Sequence, residues 1–101
     1  MSLFRALRIG RRRTDEAPAG CTHTGAIHEV EPDADGCSEC RALGDSWFHL
    51  RLCMTCGHVA CCDSSRNRHA TRHAEAAGHP IMRSFEPGED WMWCVLDRVY
   101  V

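Results

Sequence analysis

Residues 47–53 carry the clearest alternation in the chain: Phe48, Leu50 and Leu52 face one way, Trp47, His49 and Arg51 the other. A period of two marks a half-buried strand, so the aliphatic side is expected on the core and Trp47 on the outside. Shorter apolar runs predict further strands over residues 26–30, 58–61, 81–85 and 91–101. Between residues 66 and 77 the pattern turns helical. Ser64 or Ser65 can cap that helix, His69 and His73 fall one turn apart on a single face, Gly78 suits its C-terminus and Pro80 stops it. Residues 37–43 read as a knuckle running into a helical turn, while residues 31–36 and 86–89 hold the Pro, Gly and Asp of loops. Short antiparallel strands with one main helix and a short helical turn make a small α+β domain.

The aliphatic residues behind this pattern are few: Leu50, Leu52, Val59, Ile81, Val95 and Val99. A length of 101 residues gives one domain. Residues 1–20 read as a flexible basic tail and residues 21–101 as the folded part, roughly 80 residues, a size at which apolar burial alone is marginal and staples are common. In the tail, Leu3, Phe4 and Leu7 share one side of a short helix flanked by arginines. That pattern could touch an anionic membrane surface or a partner, although so short a tail reads first as solvated chain. Arg5 and Arg8 interrupt the apolar residues, so no secretory signal is expected, and no stretch approaches the ~18 apolar residues of a membrane span. Residues 1–13 hold five arginines and no acid, whereas residues 14–101 hold seven arginines against fourteen acids. An acidic folded part argues against nucleic acid as its partner.

Eight cysteines and seven histidines lie between residues 21 and 94. Most have chelating spacing: Cys21-x-His23, Cys37-x-x-Cys40, Cys53-x-x-Cys56, Cys61, His69-x3-His73, His79 and Cys94. Thiolate and imidazole bind Zn²⁺ at ~2.0–2.3 Å, and two donors separated by a tight turn or one helical turn can share an ion. Disulfides are the competing reading. A disulfide within Cys-x-x-Cys closes too short a loop to staple a fold, however, and leaves the histidines idle. Zinc is therefore expected, and with it a reducing, cytoplasmic compartment. Spacing alone does not assign donors to ions: sequential use would group Cys37, Cys40, Cys53 and Cys56, then Cys61, His69, His73 and His79. Cys62 reads as a small buried residue, and His49 and His58 as surface or hydrogen-bonded ones.

These motifs, with Trp47 and Trp93-Cys94, resemble the zinc finger of ubiquitin-specific proteases, the UBP-type finger, over residues 21–97. The Cys61-Cys62-Asp63-Ser64-Ser65 signature is similar to that of small stand-alone prokaryotic members. The resemblance implies interleaved ligands, with Cys37, Cys40, Cys61 and His69 on one zinc and Cys53, Cys56, His73 and His79 on a second. A third zinc is implied at Cys21, His23 and Cys94, with Asp97 where the family has its last cysteine; His28, His58 or water are the other ways to complete that site. On a regular strand Cys94 and Asp97 have opposite parity, so both reach one ion only through a turn or bulge.

The family grips the free Gly-Gly tail of ubiquitin between aromatics and an arginine. By resemblance Trp47 and Trp93 correspond to two of the aromatics, but Asp63 stands where the arginine should be. An acid there repels a terminal carboxylate and argues against ubiquitin's tail, leaving Arg51 or Arg66 to supply the charge. No His-Glu-x-x-His, Ser-His-Asp pattern or phosphate loop is present, so an enzyme is not expected. The chain reads as a zinc-binding module for a protein or peptide partner, through Trp47, Arg51, Asp63, Arg66 and Trp93. The alternative is a zinc- or redox-responsive regulator, motivated by the surplus Cys62 and by the third site.

Overall fold

The structure, a computed structural model, describes residues 21–101; the tail expected over residues 1–20 lies outside them. Five short strands form one antiparallel sheet: β1 (Leu50–Cys53), β2 (Val59–Cys61), β3 (Ile81–Ser84), β4 (Met92–Cys94) and β5 (Val99–Tyr100), in the order β2-β1-β3-β4-β5. Two helices accompany it, α1 (Ser38–Leu43) and α2 (His69–Ala77), with a 3-10 turn at Thr24–Ala26. This is the α+β architecture that the alternating pattern predicts.

Register decides what each face carries. Leu50 pairs with Cys61 and Leu52 with Val59, while Ile81 pairs with Cys94, so these side chains share one face. They form a core with Cys37, Cys40 and Met54, and Ile27, Val30 and Trp47 pack against it. On the opposite face Ala60 and Met82 meet Ala70 and Ala74 of α2. Burying an aliphatic side chain contributes about 1.5–3 kcal/mol, against about 1–2 kcal/mol per residue to order the backbone. Of the six largest fully buried side chains, four are cysteines: Cys37, Cys40, Cys61 and Cys94. The sequence has therefore put metal-binding groups where a larger domain would put leucines.

Four expectations need correction. The strand over residues 26–30 does not form; irregular chain follows the 3-10 turn, and the His28 N–H donates to the Met54 carbonyl at 2.8 Å. The strand predicted from residue 47 starts at Leu50, so the alternation fails just where it had assigned the aromatics. Phe48 is 72% exposed, and Trp47 packs on the core instead, with the Arg41 guanidinium 5.4 Å from its ring. The cause is local: the Phe48 N–H turns to donate to Ser65 Oγ at 2.9 Å. That bond also removes Ser65 as a helix cap. α2 begins at His69 rather than residue 66, behind Arg68 in the left-handed region (φ 48°), and the His69 N–H donates to Cys61 Sγ at 3.2 Å. Finally, residues 91–101 are a hairpin rather than one strand. β4 and β5 are joined by a turn over residues 95–98, in which Arg98 (φ 57°) donates its N–H to the Cys94 carbonyl at 2.8 Å.

One glycine holds the knuckle after β1. Gly57 has φ +85°, and a Cβ there would collide with the Glu31 carbonyl oxygen.

Candidate metal centres

Three sets of donors converge, each with its ligand atoms within 4.8 Å of one another. They are interleaved along the chain rather than sequential. In the first, Cys37 sits at the N-cap of α1, where its Sγ accepts the Cys40 N–H, while Cys61 ends β2 and His69 opens α2. His69 Nδ1 lies 3.3, 3.4 and 3.5 Å from the sulfurs of Cys37, Cys40 and Cys61, and the Cys40 and Cys61 sulfurs are 3.7 Å apart. A tetrahedral zinc with its usual bond lengths sets sulfurs about 3.8 Å apart and sulfur and nitrogen about 3.5 Å apart. The fit is close, and all four residues are buried. Asn67 Nδ2 lies 3.6 Å from the Cys40 sulfur while donating to Asp45 at 2.9 Å, the kind of outer contact that orients a ligand.

The second set joins Cys53 at the end of β1, Cys56 in the knuckle, His73 one turn along α2 from His69, and His79 just past the helix. Cys53 Sγ is 3.5 Å from His79 Nδ1, Cys56 Sγ 3.3 Å from His73 Nε2, and the two imidazole nitrogens 3.4 Å apart. Beside it, His58 lies tilted against His73 with ring centres 4.7 Å apart and reaches Asp33 and Glu39, both at 2.7 Å. Burial opposes charging His58, but those two carboxylates prevail and raise its pKa. His58 is thus a hydrogen-bonded neighbour and no part of the third set; His28, whose Nδ1 is 3.1 Å from the Thr55 carbonyl, is not either.

The third set is Cys21, His23, Cys94 and Asp97. Its members are half-exposed apart from Cys94. The hairpin turn solves the parity problem: the Asp97 N–H points to Cys94 Sγ at 3.4 Å, and its carboxylate swings back to His23 Nδ1 at 3.0 Å. The Thr22 N–H donates to that carboxylate at 2.8 Å and holds its pKa low. His23 Nδ1 is 3.8 Å from Cys21 Sγ and 3.5 Å from Cys94 Sγ.

All eight cysteines are free thiols, so no disulfide competes. Burial pushes the Cys40 thiol up to about 12 and the Cys21 thiol up to about 11, and neighbouring sulfurs push the same way. A divalent cation reverses that cost, because a coordinated thiol is deprotonated outright. Cys62 stands apart from the three sets. It is 3% exposed; burial opposes its ionisation, but hydrogen bonds from Ser65 and nearby backbone groups outweigh that and lower its pKa to about 7.

The residues expected to meet a partner separate. Arg51, Asp63 and Trp93 line one cavity of about 190 Å³ between α2 and the sheet, together with Trp91 and Tyr100. Trp47 packs half-buried against the core on the other side of the sheet rather than pointing outward as the alternation predicts, and Arg66 is exposed and outside the cavity. Trp91 and Tyr100 were missed because the predicted single strand hid the hairpin that folds them together, rings 5.8 Å apart. Arg51 lays its guanidinium 4.5 Å from the Trp91 ring centre and donates to the Leu50 carbonyl at 2.9 Å. Asp63 accepts a 2.6 Å hydrogen bond from the Thr71 hydroxyl.

Comparison with known proteins agrees with this geometry. A protein of Rhodopseudomonas palustris, whose solution NMR structure is known, is 53% identical, with a TM-score of 0.73 over 80% of this chain and 79% of that one. The family model described as "Zn-finger in ubiquitin-hydrolases and other protein" matches residues 37–101, which include the first two donor sets complete and half of the third. Convergent cysteine and histidine tetrads on this fold, together with that match, make the chain a zinc-binding member of the UBP-type zinc-finger family.

Proposed function

We propose that this chain is a zinc-assembled module that binds the C-terminal end of a partner protein. In this reading Cys37, Cys40, Cys61 and His69 hold one zinc, Cys53, Cys56, His73 and His79 a second, and Cys21, His23, Cys94 and Asp97 a third. Each set is closed by four protein donors, the arrangement of structural rather than catalytic zinc. The first two ions tie α2 to both knuckles, and so fix the cavity between α2 and the strands.

The observation that supports binding is Arg51. Its guanidinium is held against Trp91 inside an aromatic cavity, and no ion pair among the described residues involves it. A cation held ready in this way fits a carboxylate, and a chain terminus offers one at the tip of an extended peptide. Charge thus reaches the cavity from β1 rather than from position 63. Neither the ubiquitin tail nor any named partner is required by this geometry. The competing redox reading rests on Cys62, a thiol packed at 3% exposure.

Titration of zinc-loaded protein with acetylated peptides ending in a free carboxylate tests the proposal. Arg51→Gln should weaken binding at least ~tenfold, the loss expected for a charge-assisted hydrogen bond. Trp47→Ala should leave it unchanged. Equal affinity of wild type for carboxylate and amide termini would refute the reading.

A further inference from the structure

Arg51 is not the only charge in the cavity. Asp63 lines it too, with one carboxylate oxygen engaged by Thr71, and among the described residues neither Asp63 nor Arg51 belongs to an ion pair, with each other or with anything else. Two opposite charges in one cavity would ordinarily neutralise each other. Here they form no pair, and Trp93 and Tyr100 line the cavity with them, rings edge to face with centres 4.9 Å apart. Arg68 and Arg98 line the adjoining groove alongside Asp63, yet neither pairs with it.

A ligand complementary to such a cavity carries both signs. Its negative end faces Arg51, and its positive end faces Asp63 in a cavity that Trp93 and Tyr100 also line. Ring faces attract cations by about 0.5–1 kcal/mol at exposed sites, so Trp93 and Tyr100 assist the acid rather than oppose it. Size narrows the choice. At about 190 Å³ the cavity falls below the ~300–1,000 Å³ of a drug-sized pocket and suits one residue. Resting on the chain-end reading above, we infer that the cavity selects a terminal residue with a basic side chain, lysine or arginine, Asp63 being the residue that sets this preference. An acid in place of a pocket cation then becomes a specificity element: it favours basic ends over neutral and acidic ones.

Calorimetric titration of the zinc-loaded full chain with Ac-Ala-Ala-Lys-OH, Ac-Ala-Ala-Ala-OH and Ac-Ala-Ala-Lys-NH₂ tests this. Wild type should prefer the lysine acid over the alanine acid by about tenfold, the combined effect of a partly exposed ion pair and a cation–ring contact. Asp63→Asn keeps the acceptor for Thr71 and should bring that ratio to about one without weakening the alanine acid. Equal binding of lysine and alanine acids by wild type, or a preference that survives Asp63→Asn, overturns the inference while leaving the chain-end reading intact. Full affinity for the lysine amide takes down the chain-end reading itself.

Discussion

Two of the three centres use the same short-range grammar and end in opposite surroundings. Cys37, Cys40, Cys61 and His69 are all buried and come from α1, β2 and α2, so one ion there joins three separate elements. Cys21, His23, Cys94 and Asp97 are half-exposed apart from Cys94 and join only the first described residues to the β4–β5 hairpin. The first has three thiolates and an imidazole; the other replaces one thiolate with a carboxylate that also accepts from Thr22. The leverage of a structural metal depends on how many elements would separate without it. By that measure the buried centre holds the domain, and the edge centre dresses one side of it.

The largest effect should come from Cys61→Ser. Zinc in small structural sites contributes about 10–16 kcal/mol of binding free energy, as much as the whole stability of an ordinary domain. The variant should show no cooperative thermal transition; a folded, cooperatively melting Cys61→Ser would break the comparison. Next, Gly57→Ala drives a methyl group into the Glu31 carbonyl at a left-handed position, in the knuckle of the second centre. A loss of about 2–4 kcal/mol is expected, read as a melting temperature lower by ten degrees or more. Asp97→Asn strikes the edge centre, and native mass spectrometry should count one zinc fewer per chain while the rest of the sheet stays folded. Loss of all the zinc in that variant would show that the centres are not graded. Smallest is Asp35→Asn, which removes the exposed partner of Arg41 at 2.9 Å and touches no centre. Zinc content and melting temperature should not change.

Much of this was legible in the sequence because chelation leaves a local record. Cys-x-x-Cys and His-x3-His spacings follow from a tight turn and a helical turn, so the donors could be named without knowing the fold. Which donors share an ion could not be read that way: His69 and His73 are one turn apart on α2 yet serve different sets, a consequence of where β1 and β2 meet the helix. Asp97 was a candidate with a parity objection, and the turn at residues 95–98 removes it through a left-handed Arg98, which carries no sequence signal of the kind a glycine gives. The aromatics misled. Period two extended across residues 47–49 assigned Trp47 to the outside and Phe48 to the core, whereas a single hydrogen bond to Ser65 ends the regular strand and reverses both. Arg51 was legible as a cation on the alternating strand and Trp93 through the family resemblance; Trp91 and Tyr100 needed the hairpin.

Stepwise removal of zinc with a chelator under reducing conditions, followed by amide NMR, tests the grading directly. The first ion withdrawn should shift only resonances from the first described residues and the β4–β5 hairpin, and further removal should collapse β1, β2 and α2 together into unfolded-chain positions. Retention of a dispersed spectrum after all metal is gone, or loss of the β1 and β2 signals with the first ion, would contradict the account.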